Sequence, residues 1–146
     1  MIIKEKSGLN YEISIENLTA KVISSPFAKG DVFIPSFVNH NSQKYFITAI
    51  CEDAFKNNQF IKTINFPEDS KVSSIGTDAF FGSSINTIYF PPSLKELKEG
   101  WCQYTTYLTK ITVSSSNKIF LLYDNQMILG KSDPKTNDYD ILYYAP

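Results

Sequence analysis

One pattern constrains this chain more than any other. Ile50-Cys51-Glu52-Asp53-Ala54-Phe55 runs on to Ile61-Lys62-Thr63-Ile64-Asn65-Phe66-Pro67, and the combination returns twice. Ile75-Gly76-Thr77-Asp78-Ala79-Phe80 leads to Ile85-Asn86-Thr87-Ile88-Tyr89-Phe90-Pro91, and Leu97 with Trp101-Cys102 leads to Leu108-Thr109-Lys110-Ile111-Thr112-Val113. The first and third copies keep identical apolar offsets, and the second is one residue shorter between Phe80 and Ile85. A period of about 22 to 25 residues lies in the range of stacked repeat architectures, where no single unit buries its own apolar face. Copies of this kind gain a common core by lying side by side.

Two local grammars alternate within each copy. The Ile-x-x-Ile-x-Phe-Pro run reads as a strand halted by proline, which cannot donate to a continuing ladder. The Asp-Ala-Phe run reads as a tight turn or a single helical turn, its alanine admitting the neighbouring copy and its phenylalanine filling the core. Val32-Phe33-Ile34-Pro35 repeats the strand ending, so the series begins before Ile50. Alternation over residues 9–15 and 20–23 predicts short half-buried strands upstream. Asn39-His40-Asn41-Ser42 is expected as a polar turn before a strand over residues 44–50. Downstream, residues 119–123, 127–130 and 140–144 are expected to form a three-stranded meander. The division that follows is one domain: an N-terminal β cap over residues 1–30, repeats over 31–116, and a C-terminal β meander cap over 117–146.

Composition narrows the functional classes. The 146 residues are 42% hydrophobic and carry a net charge of −1, enough apolar content for a core and no charge bias toward a polyanion. Every cation is lysine, so the guanidinium fork that reads phosphates and base edges is missing, and a nucleic-acid partner is not expected. His40 is the single histidine, which excludes a multi-histidine metal site and a histidine-dependent triad. Glu52-Asp53 and Asp138 with Asp140 lack the spaced, glycine-containing loop of an EF-type calcium site and read as turn or surface residues. Phosphate-cradling and nucleophile-elbow motifs are missing, so no catalytic residue, metal or cofactor is assigned. Cys51 and Cys102 fall two copies apart, beyond bridging distance, and are expected to be free thiols. Asn17-Leu18-Thr19 has the form of a glycosylation sequon, a triplet frequent by chance. No apolar run is long enough for a signal peptide or a membrane span.

The I-G-x-D-A-F and I-x-x-I-x-F-P runs resemble the BspA-like leucine-rich repeat family. Ile50, Ala54, Phe55, Ile61, Ile64, Phe66 and Pro67 carry the likeness, and so do Ile75, Gly76, Ala79, Phe80, Ile85, Ile88, Phe90 and Pro91. The third copy departs, with Trp101-Cys102 in place of Ala-Phe and no proline after Val113. The resemblance implies a mainly β, right-handed leucine-rich-repeat solenoid, with a sheet on its concave side and turns or helical turns on the convex side. It also implies display on a microbial surface and adhesion to a protein ligand, such as a host extracellular-matrix protein.

Period 2 then points to the residues that would meet such a ligand. With Ile64 and Phe66 directed inward, Thr63 and Asn65 face outward, as do Thr87 with Tyr89 and Lys110 with Thr112, and Phe33 joins the row of Asn65. Aromatic and adaptable polar groups of this kind suit protein contacts. Phe33, Thr63, Asn65, Thr87, Tyr89, Lys110 and Thr112 are therefore the candidate protein-binding residues. The alternative is a structural spacer within a longer array, with ligand binding elsewhere, suggested by a chain that stops directly after an apolar strand.

Overall fold

The computed structural model describes residues 1–145; Pro146, the last residue of the expected meander cap, lies outside them. The described residues form strands and turns with no helix. Among the described residues fourteen strands arrange into three sheets, and about four solenoid coils account for most of them. The strands are β1 (Ile2–Lys4), β2 (Asn10–Ser14), β3 (Thr19–Ile23), β4 (Gly30–Phe33), β5 (Phe37–His40), β6 (Gln43–Ile50) and β7 (Ile61–Asn65). They continue as β8 (Ser74–Ile75), β9 (Thr87–Phe90), β10 (Glu96–Leu97), β11 (Lys110–Val113), β12 (Leu121–Tyr123), β13 (Met127–Gly130) and β14 (Ile141–Tyr144).

The strands of the repeated motif stack in parallel as β4-β7-β9-β11. Their inward row, Val32, Ile64, Ile88 and Ile111, is buried throughout. Pro67 and Pro91 stand just beyond the ends of β7 and β9, where the expected proline stops occur, and each carbonyl accepts a turn hydrogen bond, from Ser70 and Leu94 respectively.

A second parallel wall, not expected from the sequence, faces this one. β3, β6, β8 and β10 align Val22, Ile50 and Ile75, and then Leu97, in one buried row. β1 and β2 extend this sheet antiparallel from β3, so the upstream strands join the second wall directly. β3 stacks in parallel on β6, and the Ser25 amide donates to Ala54, so the coil geometry reaches upstream of the sequence motif. The Asn39–Ser42 stretch is also more structured than a polar turn. β5 pairs with β6 as a hairpin whose two loop residues, Asn41 (φ 49°) and Ser42 (φ 63°), both adopt the left-handed conformation of a tight primed turn.

The third wall is a ladder of turns. Asp53, Phe55 and Asn57 donate to the carbonyls of Thr77, Ala79 and Phe81; Asp78, Phe80 and Gly82 donate in the same way to Glu99, Trp101 and Gln103. Left-handed residues recur in register as Asp53, Asp78 and Gly100, and again as Asn57, Gly82 and Tyr104. Aspartate, asparagine and glycine tolerate that conformation best, which gives the acidic residue of the Asp-Ala-Phe motif a backbone role. The departure at Trp101-Cys102 leaves the turn intact: Trp101 is buried and meets Phe90 edge-on at 5.7 Å. Phe55 and Phe80 stack at 5.2 Å and 12°, an aromatic pair that bridges two coils.

Gly76 has no room for a side chain. A Cβ there would lie 2.5 Å from the Glu52 backbone nitrogen, in the coil stacked against it.

Two asparagines lock the corners. The Asn58 amide nitrogen donates to the carbonyls of Ser25 and Ala28 (3.2 and 2.9 Å), while its oxygen accepts from the amides of Phe60 and Ile61 (2.8 and 3.2 Å). Asn117 repeats the device between Pro91 and Leu94 on one side and Ile119 and Phe120 on the other. Both side chains are buried, and four bonds on one amide remove the cost of placing it there.

β12, β13 and β14 form the expected antiparallel meander. Phe120 sits between Phe90 and Tyr143, and the Tyr144 hydroxyl donates to the Leu108 carbonyl at 2.8 Å, tying this sheet to the last coil.

Candidate functional site

All seven residues singled out from the sequence lie on one sheet in the rows expected of them. Asp31, Thr63, Thr87 and Lys110 form one row through the pairings Asp31↔Thr63, Thr63↔Thr87 and Thr87↔Lys110. Phe33↔Asn65 and Tyr89↔Thr112 form the second. Phe33 is 55% exposed, so the upstream strands leave it uncovered. Asn65 and Lys110 are exposed, and Thr63, Thr87 and Thr112 are partly so. Tyr89 is half-buried, with part of its ring packed against the core.

Polar groups on this face hold one another in place. The Thr63 hydroxyl donates to the Asp31 carboxylate at 2.9 Å, and the Asn65 amide donates to the Thr63 oxygen at 3.1 Å. Thr87 donates to Asn86 at 3.0 Å. Asp31 is a member of the row that the sequence does not offer: Lys29-Gly30-Asp31 reads as a turn before the strand, whereas β4 begins at Gly30 with a register shift against β7. Fixing these rotamers in advance lowers the entropy lost when a ligand docks.

Among the described residues, β4, β7, β9 and β11 carry no cysteine or histidine. The thiols lie elsewhere: Cys51 and Cys102 are free, as expected, and both are half-buried. Burial raises the Cys51 thiol above its usual range, helped by Glu12 and opposed by Lys21 and Lys98. Cys102 is pushed up to about 12, again by burial, against a smaller opposing effect of the Thr105 hydroxyl. Both are therefore thiols at neutral pH, and thiols are poor nucleophiles and poor metal ligands. Burial likewise raises the Tyr11 phenol, and its hydroxyl has no hydrogen-bond partner among the described residues. Of the acidic residues weighed earlier, Asp140 accepts from the Ser132 amide at 2.8 Å and from the Ser132 hydroxyl, which hold its carboxyl below the usual range. That is a loop clasp. Asp53 lies 3.6 Å from Lys56 in an exposed pair. Among the described residues no three of His, Cys, Asp and Glu gather as metal ligands, and no helix is long and apolar enough to cross a membrane.

The repeats can be matched to known proteins. Residues 32–123 correspond to the BspA type leucine rich repeat region in six copies, well over half of the chain. This chain belongs to the BspA-type leucine-rich-repeat family. A leucine-rich repeat protein from Bacteroides capillosus shares the fold, at 18% identity and a TM-score of 0.51 over 78% of this chain and 99% of that one. A leucine rich cell surface protein from Faecalibacterium prausnitzii is 13% identical over 90% of the chain, with a TM-score of 0.40. The pneumococcal vaccine antigen PcpA is 16% identical over 90% of the chain, with a TM-score of 0.35. The BspA-type chain spans 59% and 54% of the lengths of these last two. No curated protein matches it.

Proposed function

We propose that this BspA-type chain is a non-catalytic protein-binding module that acts at a cell surface and engages its ligand through the outer face of the β4-β7-β9-β11 sheet. One observation carries the reading. The seven residues stand in register on a sheet whose other side is solid core, so an irregular mixture of aromatic, amide, hydroxyl and ammonium groups is presented on a rigid base. Rigid presentation of such groups favours protein recognition, because little order has to be imposed on docking. Membership of the BspA-type repeat family makes a host extracellular-matrix protein the ligand class to test first. The cell-surface setting has the same support.

The test is a Tyr89→Ala/Lys110→Ala double variant assayed for binding to a panel of extracellular-matrix proteins, with circular dichroism to establish that it is folded. Loss of binding by the folded variant is the expected result. Undiminished binding would remove the ligand from this face and leave the spacer reading in its place.

A further inference from the structure

Three strongly exposed aromatic side chains stand along one corner of the solenoid: Phe27 (82% exposed), Phe60 (67%) and Tyr107 (63%). Two grooves run end to end along that corner and share Phe60. One, of about 500 Å3, reaches from Phe60 to Phe27, and the other, of about 420 Å3, reaches from Phe60 to Tyr107. The pairings Thr63↔Thr87 and Thr87↔Lys110 place Phe60, Ser84 and Tyr107 at equivalent positions of three successive coils. Neighbouring strands lie about 4.8 Å apart, so Phe60 and Tyr107 are separated by about 10 Å, with the small Ser84 between them.

The space between those rings is polar, lined by Gln59, Lys62, Ser84 and Asn86. Gln59 donates its amide nitrogen to the Gly82 carbonyl at 2.7 Å, which orients the side chain and leaves its oxygen as an acceptor. The Asn86 oxygen accepts from Thr87, and its amide nitrogen has no partner among the described residues. Lys62 forms no ion pair among them either. Apolar anchors of a protein partner set between the rings would strip water from these groups and leave them unpaired, at a cost.

We propose that this corner is a binding site for an extended, equatorially linked glycan lying along the solenoid axis. A pyranose has apolar C–H faces, which the electron-rich faces of Phe60 and Tyr107 attract, and a rim of hydroxyls that both donate and accept. The Gln59 oxygen, the Asn86 amide and the Lys62 ammonium supply the complementary partners. An extended chain of such sugars advances by about one strand spacing per residue, so alternate sugars stack on Phe60 and Tyr107 while the intervening one passes over Ser84. This site shares none of the seven sheet residues and stands independently of their role.

The experiment is a titration of the full chain with cellohexaose and with chitohexaose, followed by 1H–15N NMR and calorimetry, with the coiled maltohexaose as control. At least one extended hexasaccharide is expected to bind and to shift the side-chain amide signals of Gln59 and Asn86. Phe60→Ala and Tyr107→Ala should each weaken that binding about three- to tenfold, and the double variant should lose it. Both rings stand in solvent, so the variants should keep the wild-type circular dichroism spectrum, while Tyr89→Ala should keep its affinity for the sugar. Failure of both extended sugars to bind would overturn the proposal, as would equal binding of maltohexaose or unaltered affinity in the double variant. If instead only a protein ligand binds, and the double variant loses it, the corner is a protein contact and the glycan site is refuted.

Discussion

On β7, Ile61 and Ile64 are fully buried, while Lys62 and Asn65, each one residue away from a core position, stand in solvent. The same contrast runs across the stacked strands, with Val32, Ile64, Ile88 and Ile111 on one side and Phe33, Asn65, Tyr89 and Thr112 on the other. Every inward residue is a branched aliphatic. The outward ones are a phenylalanine, an amide, a phenol and a hydroxyl. Stacking demands a fixed shape from the first row, because each coil must fit the next, and demands almost nothing from the second. Variety on the outer face is therefore tolerated by the fold and is available to a ligand.

The largest test of this contrast lies in the Phe55–Phe80 stack. Phe80→Ala removes a fully buried ring stacked on Phe55 and should cost about 3 to 5 kcal/mol, read from the midpoint of urea unfolding. Next comes Asn58→Ala, which orphans the carbonyls of Ser25 and Ala28 and the amides of Phe60 and Ile61. A loss of about 3 kcal/mol is expected, and hydrogen exchange at Phe60 and Ile61 should accelerate. Gly76→Ala should follow at about 1 to 3 kcal/mol, because its new methyl meets backbone that cannot withdraw as a side chain would. A smaller effect is expected at the C-terminal meander. The folded state holds the Asp140 carboxyl below its ordinary value, so the Ser132 clasp contributes stability above that ordinary value and loses it as pH falls through the lowered one. A lower protection factor of the Ser132 amide on acidification, after correction for the pH dependence of intrinsic exchange, would register that release, and Asp140→Asn should flatten the pH dependence.

The rows themselves were legible in the sequence, since alternation of Ile64, Asn65 and Phe66 with a recurring proline states both the strand and its face. Other features left no comparable trace. β8 and β10 are two residues long, too short for period 2 to declare itself, so the second wall leaves no trace although Ile50, Ile75 and Leu97 all stand out as apolar positions of the repeat. The left-handed positions are filled by Asp, Asn, Gly and even Tyr104, and such a mixed column reads as polar turn residues until φ is known. Asn58 and Asn117 are each followed, two and three residues on, by large apolar side chains whose amides they bind, a weak signal that could have been found. Phe27, Phe60 and Tyr107 precede their strands, beyond the reach of a face argument based on alternation. The candidate sheet face thus followed from the repeat, and the aromatic corner required the three-dimensional stack.

The contrast between the two faces is tested most directly on a single strand, by comparing Ile64→Ala with Asn65→Ala in urea unfolding. Ile64 is wholly buried and Asn65 is exposed, so the first substitution should cost about 2 to 5 kcal/mol and the second no more than about 0.5 kcal/mol. Equal costs at the two positions would contradict the separation of a folding row from a free one.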